Sequence, residues 1–315
     1  MLQMSRIKWG IISKGTFHLM KPILRPFPSK VKLLQMQTLP CARVLNSSWL
    51  RTLSVRAFSS SDYGDQSRGG LPRFFSEVLP PSKGNIVRVQ GDEFWHMTKV
   101  LRLSASDRVE LFNGKGGLVE GCIHNIDRTG LDFVALNDPK LIPPQINQWH
   151  VYAGFGTLKG GRADWLVEKC TELGASSVTP LLTERCRSIS ENRADRLERV
   201  ILAASKQCQR LHEMVLKPPI EIDDLLHLIA HSKLSLLAAA KATPVLGALT
   251  SSQETSGLII VGPEGDFTEK EVNMMIEAGA IAVGLGPHRL RVETATIALL
   301  AMVMLWSDSQ QNSVF

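Results

Sequence analysis

The stretch at residues 261–296 reads VGPEGDFTEKEVNMMIEAGAIAVGLGPHRLRVETAT. It holds two glycine-rich turns, each placed after a short apolar run. Leu258 to Val261 has the apolar character of a buried strand, and Gly262-Pro263-Glu264-Gly265 ends it. Thr268 and Glu271 have the spacing of a capping box, with Thr268 as N-cap. Phe267 before the cap can staple onto Val272. These signals predict a helix from Glu269 to Ala278, with Gly279 as the residue that stops it. A second strand, Ala280 to Leu285, runs into Gly286-Pro287, and an apolar helix follows to about Trp306. Strand, helix and strand in this order form a βαβ unit, which places both turns at one edge of a parallel sheet. That edge is where α/β proteins bind ligands. Neither turn is a dinucleotide fingerprint or a P-loop: G-x-G-x-x-G is absent and no G-K-[ST] follows the glycines.

Working outward, the same alternation begins at Trp149. Trp149 to Phe155 reads as a strand, followed by a loop from Gly156 to Gly161. Ala163, Leu166, Val167 and Cys170 then mark one face of a helix that Gly174 ends. Val178 to Leu182 and Leu234 to Ala238 are further strands, and Ala239-Ala240-Lys241 opens the loop after the second. Arg193 to Leu211 reads as a long helix. Residues 184–210 hold seven basic and four acidic side chains, the best candidate for a phosphate-facing surface. The alternative for that face is simple solvation.

Before Trp149 the pattern is different. Residues 71–140 carry short strands around Phe74, Val87, Leu111 and Phe133, and Asn113-Gly114-Lys115-Gly116-Gly117 is a hairpin turn. Glu93 to Leu101 reads as a helix. Small β-rich units of this kind often bind RNA, although residues 73–140 balance nine basic against nine acidic side chains. Prolines between Asn137 and Gln148 mark a linker to the second domain, 149–308.

Charge is uneven along the 315 residues. Residues 1–61 hold ten Lys or Arg and no acid, so the pI near 9.1 comes from this leader; the rest carries 26 basic against 30 acidic side chains. An Arg-rich, Ser-rich, acid-free leader over 1–60 predicts an organellar transit peptide, with a polar linker at 61–70. Arg56-Ala57-Phe58-Ser59 resembles a mitochondrial processing site cleaved after Phe58, while composition alone leaves mitochondrion and chloroplast both open. The five cysteines (Cys41, Cys122, Cys170, Cys186 and Cys208) are widely spaced with no C-x-x-C, which predicts neither a zinc site nor a disulfide framework. Ile297 to Trp306 is too short an apolar run to predict a membrane span.

The two glycine turns together, G-P-E-G-x-F and then L-G-P-x-x-L-R-V-E-T-A, resemble the RsmE family of 16S rRNA uridine-N3 methyltransferases, in the SPOUT superfamily. The resemblance extends to Lys159-Gly160-Gly161-Arg162, to Glu168 through Gly174, to Pro180 through Cys186, and to His96 with Val100-Leu101-Arg102. It covers Arg73 to Leu305. It implies an α/β fold: a trefoil-knotted SPOUT methyltransferase domain with a parallel sheet, preceded by a small PUA-like β-barrel. It implies S-adenosylmethionine as cofactor, no metal, small-subunit rRNA as partner and a homodimer. The last helix is a candidate for the dimer interface, or else covers its own sheet.

The same resemblance distributes roles. Leu237, Ala238, Gly262, Pro263, Glu264, Gly265, Leu285, Gly286, Leu290, Arg291 and Thr294 are expected to line the cofactor pocket. Arg73, His96, Arg102, Lys159, Arg162, Gln207 and Arg210 are expected to contact RNA. Uridine N3 carries a proton at neutral pH, so the reaction needs a group that takes the proton and a cation near the developing charge. Glu293 and Arg291 can supply these two catalytic roles, and Glu264 is the rival base. Two departures from the family pattern stand out: Asp266 replaces a glycine, and only Gln207 and Arg210 match an E-x-Q-x-x-R-like motif whose acid is missing. An rRNA-binding assembly factor without activity, or a SPOUT enzyme acting on another nucleotide, are the alternatives.

Overall fold

The computed structural model describes residues 70–187, 193–252 and 254–311. The leader, the Phe58 cleavage position, Cys41 and nearly all of the 61–70 linker lie outside them.

The first half is built on one mostly antiparallel sheet. Its strands are β1 (Arg73–Phe75), β2 (Ile86–Val89), β3 (Arg108–Phe112), β4 (Gly117–Ile126), β5 (Leu131–Ala135) and β6 (Lys140–Leu141), in the order β1-β3-β4-β5-β2 with β6 on β4. Alternation along β4 and β5 sends Val119, Ile123, Leu131 and Phe133 into a shared core. Helix α1 (Gly91–Trp95) continues as a wider turn, His96–Val100, and Met97 closes that core. The β3–β4 hairpin forms where Asn113-Gly114 predicts it. The Asn113 side chain accepts from the amides of Lys115 and Gly117, both at 2.9 Å.

The hairpin tip docks on the second half. Gly116 N–H donates to Leu211 O at 2.8 Å, and Glu213 N–H donates to Gly114 O at 2.8 Å.

The second half is a parallel sheet covered on both faces. Its strands are β7 (Trp149–Ala153), β8 (Ser177–Pro180), β9 (Val215–Leu216), β10 (Ser235–Pro244), β11 (Gly257–Val261) and β12 (Ile281–Gly284). Their order is β12-β10-β11-β7-β8-β9, and every neighbouring pair is parallel. One face carries α2 (Arg162–Leu173), α3 (Ala194–Gln207), α5 (Val245–Thr250) and α7 (Val292–Gln311); the other carries α4 (Ile222–His231) and α6 (Glu269–Glu277). Alternation assigns the two layers: Leu236, Ile259 and Val261 pack under α2 and α7, whereas Leu237, Leu258 and Ile260 face α4 and α6.

The predicted βαβ unit is present, but its strands are not neighbours, because β10 lies between β11 and β12. The capping box forms. Thr268 N–H donates to the Glu271 carboxylate at 2.7 Å, and Glu271 N–H donates to the Thr268 hydroxyl at 3.3 Å. Phe267 and Val272 join one apolar cluster, as the staple requires.

Most boundaries fall within about two residues of the sequence expectation, and three differ by more. The strand expected to end at Ala238 resumes after a bulge, and both Ala238 and Thr243 pair with Val283. The long basic helix ends at Gln207 rather than Leu211, because Gln209 has φ +56° and turns Arg210 inward. The last helix runs past Trp306 to Gln311. On its added turn, the Ser307 hydroxyl accepts from the Trp149 indole at 3.0 Å and donates to Thr255 O at 3.1 Å. This helix has the length and apolar composition to cross a membrane, yet Leu299, Leu300 and Val303 are fully buried in the sheet core.

Candidate active site

Three backbone segments converge at the C-terminal edge of the parallel sheet. They are the β10 bulge at 239–242, the turn after β11, and the turn after β12. Together they enclose a cleft of about 1030 Å³, the size of a small-molecule or cofactor site. Backbone packing brings them together. The β10 bulge lies directly on β12, where a methyl added to Gly284 would stand 2.6 Å from Ala242 O. Gly154, at the end of β7, meets Pro263 in the same way, at 2.7 Å from its nitrogen. Two walls are conformationally tense: Lys241 at the bulge has φ +62° and Asp266 has φ +66°, both uncommon for residues other than glycine. Asp266 thus adopts a backbone form that favours glycine, and its side chain accepts from Phe267 N–H at 2.9 Å.

Side chains fix the walls. Arg289 donates to Glu264 O at 3.1 Å, and Arg185 donates to Gly265 O, so two guanidiniums hold the carbonyls of the Gly262–Gly265 turn. Glu271 accepts from Glu184 N–H at 2.9 Å as well as capping α6, which ties the β8 loop to the α6 start. Arg185, Lys241, Arg289 and Arg291 line the cleft against Glu264 and Asp266, so positive charge prevails there.

The principal interaction beside the cleft joins the first residues of two helices. Arg162 opens α2 and donates from two nitrogens to the two Glu293 oxygens, each at 2.8 Å. A third nitrogen of Arg162 donates to Glu264. Glu293 is only 6% exposed, and Arg162 holds its carboxyl below the usual range, with Arg291 adding to the field. Both Glu293 oxygens are therefore engaged, and the low proton affinity opposes a role as general base. The sequence expectation of Glu293 as base is replaced by a clamp that fastens α7 onto α2. Glu264 is 51% exposed and lines the cleft. Arg291 also lines it, is exposed, and forms no ion pair among the described residues.

The other expected site residues divide as follows. Ala238, Gly262, Pro263, Glu264, Leu285, Gly286, Leu290 and Arg291 all line the cleft. Leu237 does not; it is fully buried and faces α4 and α6 from within the sheet. Gly265 sits behind the wall against Arg185, and Thr294 is exposed outside the cleft lining. Among the expected RNA contacts, Lys159, Arg102 and Gln207 are exposed. Arg162 belongs to the clamp, which undoes the separation of an RNA loop from the cofactor loops. Arg73 is occupied by Glu110 at 2.7 Å. His96 packs edge-on against Phe74, with ring centroids 5.8 Å apart. Arg210 donates to the carbonyls of Thr171, Ala175 and His212, and burial lowers its pKa. It braces the interior instead of facing a phosphate. Sequence reading missed Arg185 and Arg289 as turn braces. Arg289 follows the Gly286-Pro287 turn, whereas Arg185 is 80 residues from the carbonyl it holds and carries no local signal of that contact.

Comparison with known proteins extends this architecture to a family. Residues 145–304 match the RNA methyltransferase domain family, and residues 89–136 match the RNA methyltransferase PUA domain. The ribosomal RNA small subunit methyltransferase E of Rickettsia conorii is 30% identical over 224 residues, 70% of this chain and 89% of that protein. The protein of the same name from Mycobacterium bovis is 28% identical over 242 residues, 73% of this chain and 90% of its own length. Among solved structures, a probable rRNA-methyltransferase from Porphyromonas gingivalis aligns with a TM-score of 0.61 and 26% identity, covering 76% of this chain and 99% of that one. The Neisseria gonorrhoeae ribosomal RNA small subunit methyltransferase E, solved with S-adenosyl methionine, shares the fold at a TM-score of 0.59 and 24% identity, over 75% and 97% of the two chains. With both halves matched and most of each relative's length covered, the chain belongs to the ribosomal RNA small subunit methyltransferase E family.

Proposed function

We propose that this protein methylates small-subunit rRNA from S-adenosylmethionine, at N3 of a uridine, in an organelle. The observation that carries the reading is the cleft walled by three backbone turns, with the uncommitted Arg291 on its lining. The residues fit the cofactor. Glycine at 262 and 286 keeps the turns slender, the apolar Leu285 and Leu290 offer surface for a flat base, and cationic side chains outnumber acids. When bound, S-adenosylmethionine supplies a methyl group on a sulfonium. The chain's own residues align the acceptor and exclude water. Arg291 stabilises negative charge on the pyrimidine, and Glu264, which lines the cleft together with Asp266, is the carboxylate we assign to take the N3 proton.

Two further parts of the reading rest on other observations. The acid-free leader supports import into a mitochondrion or chloroplast. Leu305 on α7 is 72% exposed and Trp165 on the neighbouring α2 is 45% exposed, two apolar side chains that a homodimer contact would cover. Sedimentation of the mature chain tests the dimer. Modification mapping of organellar small-subunit rRNA, with and without the protein, tests the function. Loss of one methylated uridine is expected. Loss of a different modified nucleotide would change the reaction assigned, and unchanged rRNA modification would leave an assembly factor.

A further inference from the structure

The helix of the N-terminal sheet turns outward a tryptophan that its core does not use. Along residues 91–103, Phe94, Met97, Leu101 and Leu103 pack onto the sheet. Trp95 points away and is 60% exposed, beside exposed Lys99, Val100 and Arg102. The backbone is unusual at this place. Leu101 N–H donates to His96 O at 3.0 Å, one residue wider than an α-helix, and Leu103 N–H donates to Met97 O at 2.9 Å. Arg102 has φ +58°. Widened helical turns and left-handed non-glycine residues concentrate at functional sites. Lys99 and Arg102 form no ion pair among the described residues.

An exposed row on α3 runs from this surface toward the Arg162 clamp beside the cleft. Arg196, Arg199, Ala203 and Gln207 are exposed at helical spacing on one face, over about 16 Å at the α-helical rise. At one end Arg196 pairs with Asp164, in the first turn of α2 beside the Arg162 clamp. At the other end Lys206 approaches Glu93 of α1 at 3.8 Å and lies 4.6 Å over the Phe75 ring.

We infer that single-stranded RNA leaving the methylation cleft follows this row and stacks a base on Trp95, with Lys99 and Arg102 at its phosphates. An exposed indole on the same short segment as two exposed cations suits a nucleobase, because aromatic stacking and phosphate contact act together on single strands. This inference rests on the rRNA substrate proposed above.

The test uses the full chain, a short single-stranded oligouridylate and fluorescence anisotropy. Trp95→Ala should weaken binding by about 5- to 150-fold, and Trp95→Phe, which still stacks, should stay within about threefold of wild type. The salt dependence of Trp95→Ala should parallel wild type, whereas Lys99→Ala should lower the slope by about one. S-adenosylmethionine affinity should not move in any of the three. Wild-type RNA affinity in Trp95→Ala, or equal losses in Trp95→Ala and Trp95→Phe, would overturn the inference. So would a fall in sedimenting mass in Trp95→Ala, which would make this face a protein contact. A wild-type chain that neither binds nor methylates rRNA would defeat the proposed function. A methylating wild type matched by Trp95→Ala would defeat only this inference.

Discussion

Gly286 and Gly279 allow a matched experiment on the turn after β12. Both have φ +110°, and a methyl added at either would meet nothing within 4 Å. Alanine at either site therefore brings backbone strain without a clash. Holding an L-residue in such a region costs about 1–3 kcal/mol, partly offset by about 0.4–1 kcal/mol from a stiffer unfolded chain. Each variant should lose about 1–2 kcal/mol, which lowers Tm by about 2–8 °C for a chain of this size. The consequences then separate. Gly286 lines the cleft between Leu285 and Arg291, whereas Gly279 ends α6 away from it. Relaxation at residue 286 displaces the cofactor wall, so Gly286→Ala should raise the Kd for S-adenosylmethionine about tenfold or more, as a 1.4 kcal/mol loss implies. Gly279→Ala should bind as wild type. Calorimetric titration with thermal melting reads both effects. Equal cofactor affinity in the two variants, with the melting losses as expected, would refute the assignment of this turn to cofactor binding.

Other substitutions test the remaining assignments. Because Arg162 keeps the Glu293 pKa low, the stabilisation from the clamp is complete above about pH 4.3 and is lost as pH falls through the lower folded value. Melting curves on the acid side should therefore drop less steeply for Glu293→Gln than for wild type. Arg291→Ala should leave Tm unchanged but slow methyl transfer by about 100-fold, with partial recovery in Arg291→Lys, as single-turnover assays would show. Arg210→Leu should cost about 3 kcal/mol by stranding the Thr171, Ala175 and His212 carbonyls. Its folded fraction should bind RNA like wild type in anisotropy titrations.

Local signals in the sequence carried far. Thr268 and Glu271 are three residues apart, and their capping box forms as expected. The turns at Gly262 and Gly286 both reach the cleft, because a βαβ unit fixes their common edge without knowledge of the strands between. What stayed hidden is non-local. Arg162 and Glu293 are 131 residues apart, and no periodicity relates them, so an arginine in a Gly-rich loop looked like a phosphate contact. Arg210 misled for a similar reason: a cation on a basic helix looks like a phosphate contact until the left-handed Gln209 ends the helix and turns it toward carbonyls. The return of β10 to pairing at Thr243 depends on a partner, Val283, that the chain supplies only later.

That strand order has a consequence during synthesis. The two partners of β10 are β11 and β12, both made after it. As the chain leaves the ribosome, Ser235–Pro244 has no neighbour to bond until residue 257 and beyond has emerged. The same is true of one edge of β7, which waits for β11. The largely apolar stretch Leu234-Ser235-Leu236-Leu237 therefore remains open to misplaced pairing late in translation, a hazard for strands with unsatisfied edges. Its sheet closes only when the last fifth of the chain arrives. Folding of this half is dominated by distant contacts and should be slow. A nascent chain stalled before β11 is thus the species with most need of a chaperone.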